Sequence, residues 1–527
     1  MFERRIIQYD ISRGRIPRLE TVFRRLDLLR PHGVTGLALY IESVVATDTF
    51  PAVGCGETPV TKDWLRALCR HCAEIGVELI PFVEVIGHQG HLLALDAFQR
   101  LGEIEPPRNR NAGPNNFLLH EPEVRALVKR WLDELLPLFN SDTVHLCCDE
   151  AFTLGTGRSR SHIERHGVEA TIADYLIDLH RFLAARGKRT VVTGDPLVHF
   201  PTLRDLLPPE ILIANWGYGR WEDAYEQDNH HFARHKFITA RSRGNWVLGN
   251  NMAEYVFPPF QRLAANTDIW LDLGGRSGAE AFVVTDWGSY NNINPHVLSV
   301  LGDLHVLLRL QRGRVEPGEW LDAFSRMILG RSDARFIKAV DLMGHAQMDP
   351  ACIQDERLLR FLPIFPGLML DDPNGASRSV RRFACLRAEG LALLEARMRE
   401  AVALMEEVSV EGAPQPDYTH DMRMLSRRML MVALRARLCC EDAWDTGCIW
   451  HSPETLAPRR GRLNEYVELA AKDQDWYSRR WDEENFASDK AGCMRALSDA
   501  RESIRRRVLD APYVNTLLFH APGTARE

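Results

Sequence analysis

The chain has 527 residues, too many for one ordinary core but suited to a barrel of roughly 250 to 350 residues followed by a module of about 200. Hydrophobic residues make up 45% and charged residues 26%, the mix of a soluble globular protein. A net charge of −7, from 65 basic and 72 acidic residues, gives no electrostatic reason to expect nucleic acid or an anionic membrane as partner.

The opening residues Met1-Phe2-Glu3-Arg4-Arg5 hold no signal-peptide pattern, and no run of about eighteen apolar residues suggests a membrane span. The eleven cysteines are scattered and odd in number, as expected of reduced thiols in a cytoplasmic protein. Cys69 and Cys72 form a CxxC inside a helical pattern, with no second pair at zinc-site spacing.

In chain order, β-branched runs alternate with amphipathic stretches. Strands are expected at Arg5–Ile11, Gly36–Ile41 and Glu78–Val85, with a helix over Thr61–Ile75 between the last two. A helix over His120–Leu138, a strand over Thr143–Cys148 and a helix over Ala170–Arg186 follow. Four further strands are expected at Arg189–Thr193, Ile211–Asn215, Lys236–Thr239 and Ala281–Thr285, with a helix over Pro258–Leu273. The stretch Arg241–Val256 reads as a long loop. Eight strands joined this way imply an α/β fold, a (β/α)8 TIM barrel over residues 1–313.

Beyond residue 314 strand patterns cease, and Arg and Leu recur at helical spacing over Arg378–Val408, Tyr418–Asp442 and Arg462–Val508. Residues 314–527 are therefore expected to form an α-helical bundle domain. Its apolar faces need burial against the barrel flank or in a second subunit, which leaves a homo-oligomer open.

The segment Thr143-Val144-His145-Leu146-Cys147-Cys148-Asp149-Glu150 is a buried-looking strand ending in two carboxylates. Barrel active sites lie where strands end, at the C-terminal face. Successive strand residues point to opposite sides, so a matched nucleophile and acid would more naturally come from different strands. Taken alone, an Asp-Glu pair is an ordinary solvated turn. His231 and His235 have helical metal-ligand spacing but lack the Glu of a zincin motif, and read as surface polar residues.

The segment resembles the strand-four signature of glycoside hydrolase family 20, the β-N-acetylhexosaminidases, which ends in His-x-Gly-Gly-Asp-Glu. His145, Asp149 and Glu150 match, and Cys147 and Cys148 stand at the glycine positions. Leu154-Gly155-x-Gly157 is similar to the hexosaminidase D branch of that family. Arg5 through Arg13, Leu39-Tyr40-Ile41-Glu42, Ile80 through His88, Trp216-Gly217-Tyr218 and Thr285-Asp286-Trp287-Gly288 resemble further segments in the same order. So does the tail segment Trp481 through Asn485, and the resemblance covers nearly the whole chain.

The resemblance implies an exo-acting, retaining β-N-acetylhexosaminidase using substrate-assisted catalysis, with no metal and no cofactor. Glu150 would be the general acid, a buried carboxyl beside an ionised one. Asp149 would hold the substrate's 2-acetamido group, whose carbonyl oxygen attacks the anomeric carbon in place of a protein nucleophile. Arg5 would grip sugar hydroxyls, His88 would tune the acid, and Trp216, Tyr218 and Trp287 would wall the sugar. Trp246 is a weaker candidate on the seventh loop. The partner would be a saccharide with a terminal β-linked N-acetylhexosamine. Two departures bear on this: Thr193 stands where the family has a Trp caging the acetamido methyl, and Cys147 and Cys148 are bulkier than glycine. Alternatives are a glycosidase for a different amino sugar or modified hexosaminide, and a carbohydrate-binding pseudoenzyme with a family 20-like barrel.

Overall fold

A computed structural model describes residues 2–53, 58–104, 115–151, 153–218, 244–287, 293–313, 315–352, 388–444, 453–486 and 490–505. Eight parallel strands close into a barrel in chain order: β1 Arg4–Asp10, β2 Gly36–Ile41, β3 Glu78–Val83, β4 Thr143–His145, β5 Arg189–Thr193, β6 Leu212–Trp216, β7 Trp246–Asn250 and β8 Ala281–Thr285. β1 pairs β8 through Arg5–Phe282 and β2 through Tyr9–Leu39, which seals the ring.

Nearly every strand residue is buried, as a parallel sheet covered by helices requires. Alternate residues serve two cores. Ile6, Tyr40, Phe82, Val191 and Trp246 fill the barrel interior, and intervening residues such as Ile7, Leu39 and Val192 pack under the helices. Sequence signals set the helix ends. Thr61 accepts the Trp64 N–H at 3.1 Å to begin Lys62–Glu74, and Pro122 opens Pro122–Leu135. Gly278, at φ 67°, ends Phe260–Ser277.

The expected barrel is present, with differences. The seventh strand is Trp246–Asn250, inside the stretch read as a loop. The expected strand at Lys236–Thr239 lies outside the described residues, as do His231 and His235. β4 ends at His145, three residues early.

After β8 the described regular elements are helices, at Val297–Arg312, Pro317–Leu329, Ala334–Ala346, Ala388–Glu406, Pro416–Trp444, Pro453–Glu484 and Lys490–Arg505. No described helix is long and apolar enough to cross a membrane. Buried ion pairs bind these helices together and to the barrel. Arg428 pairs with Asp473 at 2.7 Å, and Arg480 with Asp421 at 2.8 Å and Glu484 at 2.9 Å. Arg428 also donates to the Ile293 carbonyl and Tyr477 to the Asn294 carbonyl, in the connection following β8.

Arg428 has no exposed side-chain surface. Arg428→Ala should therefore strand a buried Asp473 carboxylate and cost about 3–5 kcal/mol. A lowered denaturation midpoint measures this loss, whereas a change within error would show the pair to be dispensable.

Candidate active site

At the C-terminal end of β4 the backbone leaves the pleat. Cys147, Cys148 and Glu150 have φ of 52°, 85° and 52°, the left-handed region that side chains disfavour. Each of the three turned N–H groups meets a side-chain acceptor. The Cys147 N–H donates to His145 Nδ1 at 2.9 Å, the Cys148 N–H to Glu84 Oε1 at 3.3 Å, and the Glu150 N–H to Asp195 Oδ2 at 3.0 Å. Glu84 Oε1 also accepts the N–H groups of Ile86 and Gly87, so one carboxyl fixes the ends of β3 and β4 together. A Cβ on Gly87 would come within 2.5 Å of the Asp149 carbonyl, so the two loops touch only because residue 87 is glycine.

The turn brings consecutive carboxylates to one side. His88 Nε2 lies 3.6 Å from Asp149 Oδ2 and 3.3 Å from Glu150 Oε2, and its Nδ1 faces Glu42 at 3.9 Å. Burial opposes charge on His88, but hydrogen bonding to Asp149 and Glu150, together with the Asp149 charge, outweighs it and pushes the imidazole up to about 11. Burial likewise opposes charge on Asp149, yet its pairing with His88 and hydrogen bonding from Glu84 hold it ionised well below the usual carboxylate range. Glu84 goes the other way: burial, then the Asp149 charge, lifts it well above that range.

His88, Asp149 and Glu150 open into a cavity of about 270 Å³, also lined by Gln8, Arg13, Tyr40, Thr193, Trp216, Tyr218 and Trp287. That is small beside typical ligand pockets and suits one sugar unit. Trp216 stacks on Tyr218 with centroids 5.2 Å apart, and Trp287 meets Tyr40 edge-on at 5.1 Å. Trp287 Nε1 donates to Tyr218 Oη at 2.8 Å, tying the loop after β8 to the loop after β6. The Arg13 guanidinium lies over both Tyr40 and Trp287 and pairs with Glu42 at 3.5 Å. The ligand atoms of Glu84, Cys147 and Asp149 lie within 4.8 Å of one another. Burial lifts both Glu84 and Cys147 well above their ordinary values.

No family model matches the chain. By sequence it is similar to hexosaminidase D of Homo sapiens, 26% identical over 316 residues, covering 55% of this chain and 61% of that protein. Hexosaminidase D of Bos taurus is 20% identical over 308 residues, covering 55% of this chain and 86% of the relative. The chain is a sequence relative of hexosaminidase D. It spans about three fifths of the human protein's length. Its fold is that of a chitobiase of Flavobacterium johnsoniae, named as family 20, with a TM-score of 0.52 at 12% identity over 88% of this chain and 75% of the other.

In this hexosaminidase D relative the pocket gathers His88, Asp149, Glu150, Trp216, Tyr218 and Trp287, six of the residues expected there. Glu150 is not the buried carboxyl expected, because its side chain stands 39% exposed at the rim. Arg5 is elsewhere. It lies near the N-terminal end of β1, where its guanidinium binds the carbonyls of Gly33 at 2.6 Å and Phe2 at 3.1 Å. A barrel's substrate face is at the strands' other end, roughly 16 Å along from Arg5, and the guanidinium in the pocket is Arg13. Trp246 is also not on a loop. It sits inside the barrel, and its indole N–H reaches Glu280 at 3.1 Å.

Glu42, Glu84 and Asp195 went unread although each stands at or just beyond a strand's C-terminal end, the position that marked Asp149. Arg13 carried the same signal, three residues beyond Asp10.

Two outcomes follow. Both Cys148→Ala and Cys148→Gly remove the thiol, but only glycine accepts φ 85° without strain. The glycine variant should be the more stable by about 1 kcal/mol, reversing the usual order of these residues. An alanine variant of equal or greater thermal stability would contradict a left-handed residue 148.

The second outcome concerns pH. The folded value of His88, about 11, lies above its unfolded value near 6.5, so its pairing stabilises fully below that lower value and the gain is lost as pH rises toward the upper one. His88→Gln should lower stability at neutral pH and flatten its decline on the alkaline side. A variant with the same alkaline slope as the parent would show that His88 does not carry this charge.

Proposed function

We propose that the chain is an exo-acting, retaining β-N-acetylhexosaminidase of the family 20 type that uses the substrate's own 2-acetamido group as nucleophile. The observation that carries this reading is the placement of Asp149 and Glu150 on the same imidazole and in the same pocket. An ionised, largely enclosed carboxylate and a more exposed rim carboxyl have different tasks there. Kinship with hexosaminidase D supports the reading.

In this account Glu150 protonates the departing glycosidic oxygen. The His88 imidazolium, 3.3 Å away, stabilises the carboxylate that the acid becomes. Asp149 stays ionised, receives the acetamido N–H and offsets the positive charge that grows as the acyl oxygen closes onto the anomeric carbon. Tyr218, held as the neutral phenol by desolvation, orients the acyl oxygen from the opposite wall. Water then opens the oxazolinium with Glu150 as base, which returns the β-configuration. Arg13 replaces Arg5 as the donor to sugar hydroxyls, and Trp216 and Trp287 pack on the ring's faces.

Glu150 also borders a second cavity of about 320 Å³, lined by Ile86, Leu154, Pro196 and Phe200, which gives an aglycone an apolar berth. Cys69, Cys72, Cys147, Cys148, Cys352 and Cys493 are unbridged thiols, which supports a reducing, cytoplasmic setting.

Glu150→Gln should lower kcat on aglycones that need protonation by on the order of 10²- to 10⁴-fold, and far less on activated aryl leaving groups. An equal loss on both would remove Glu150 from the acid's role. Aryl 2-acetamido β-glycosides should be cleaved while their 2-hydroxyl counterparts are nearly inert. Equal turnover of the two would require a carboxylate nucleophile instead.

A further inference from the structure

The acyl-binding end of the pocket is polar where a methyl group would call for apolar walls. Strand order places it: Thr193 ends β5, between β4, which leads to Asp149, and β6, which leads to Tyr218. The Thr193 N–H donates to the Cys147 carbonyl at 2.8 Å, and Thr193 pairs across with Ala214, two residues before Trp216. An acylamino group held between Asp149 and Tyr218 therefore ends over Thr193.

Thr193 Oγ1 is buried and has no hydrogen-bond partner among the described residues. The same holds for His145 Nε2, on β4 just beneath Cys147, and for both amide atoms of Gln8, reaching the floor from β1. His145 Nδ1 accepts the Cys147 N–H, and burial keeps the ring neutral, which leaves the proton on Nε2 as a donor. Buried polar groups ordinarily have partners, and three such side chains lining one cavity imply that its occupant brings polar atoms to them.

We infer that, among 2-acylamino sugars with an acyl chain longer than acetyl, the pocket selects those whose chain ends in a hydroxyl, the N-glycolyl group being the smallest. This rests on the hexosaminidase reading above, since it needs an acyl amide at the 2-position. The hydroxyl pairs with Thr193 and the His145 N–H at the floor, while the amide carbonyl keeps its place near the anomeric carbon.

The test compares aryl β-hexosaminides bearing 2-acetamido, 2-propionamido, 2-glycolamido or 2-hydroxyl groups. Propionyl and glycolyl have nearly the same shape and differ by CH₃ against OH. The glycolyl hydroxyl withdraws electrons from the carbonyl nucleophile, so a preference for it must come from binding. In the unaltered protein kcat/KM for the glycolamide should exceed that for the propionamide by at least about tenfold, because a site built to bind a hydroxyl rejects the analogue lacking it. Thr193→Val, which keeps the shape and removes the hydroxyl, should reduce that ratio by about tenfold, and Thr193→Ser should retain it. A propionamide cleaved as well as the glycolamide, or a ratio unchanged in Thr193→Val, would overturn the inference and leave the hexosaminidase reading intact. Cleavage of the 2-hydroxyl glycoside with no turnover of any 2-acylamino sugar would overturn both.

Discussion

Two consecutive carboxylates on a regular strand face opposite sides of the sheet, so a site needing both must first break the strand. Here the break is the left-handed turn at Cys147, Cys148 and Glu150. Such conformations cost free energy and persist only where their surroundings over-determine them. The three acceptors on the turn's N–H groups, His145, Glu84 and Asp195, supply that determination from three adjacent strands. The puzzle raised by the sequence, of an acid pair too close to divide its labour across a strand, disappears once the turn is seen. Asp149 and Glu150 share a pocket because the chain between them is not a strand.

The electrostatics follow from that geometry. Glu42, Asp149 and Glu150 face a single imidazole, with Glu84 beside Asp149, and like charges gathered this closely disfavour one another's ionisation. The groups divide: burial lifts Glu84 well above the usual carboxylate range, while pairing with His88 holds Asp149 well below it and raises His88. The pocket's other walls depend on more distant packing. Arg25 pairs with Asp286, next to Trp287, at 2.6 Å and with Asp303 at 2.6 Å. Glu484 and Asn485, at the end of one C-terminal helix, bind His296, while the main chain of Glu484 and Phe486 joins that of Arg18 and Ile16. The helices thus brace the loops after β1 and β8, which bear Arg13 and Trp287.

The barrel was legible because parallel strands buried on both faces leave short apolar runs between amphipathic helices. β7 was not. Its residues Trp246-Val247-Leu248-Gly249-Asn250 contain a glycine and an asparagine, which read as loop punctuation. Gly249 is there for packing, since a Cβ would approach the Phe282 ring at 2.9 Å. The acid pair was legible from its place at a strand end. The guanidinium differs because Arg5 lies within β1 near its N-terminal end, whereas Arg13 lies three residues beyond its C-terminal end, on the substrate face. The left-handed turn was invisible in residue type, as cysteine does not announce a positive φ, although the glycines that the resemblance puts at those two positions did mark it.

The central claim is that Asp149 stabilises a cyclic intermediate formed by the substrate's own acyl oxygen. The inhibition constant of a hexosamine thiazoline, which copies that bicyclic intermediate, measures this directly against the constant for the free N-acylated sugar. Binding at least about 100-fold tighter than the free sugar is expected, as for transition-state-like ligands, with most of the difference lost in Asp149→Asn. A thiazoline that binds no better than the sugar, or equally well to both proteins, would contradict the account.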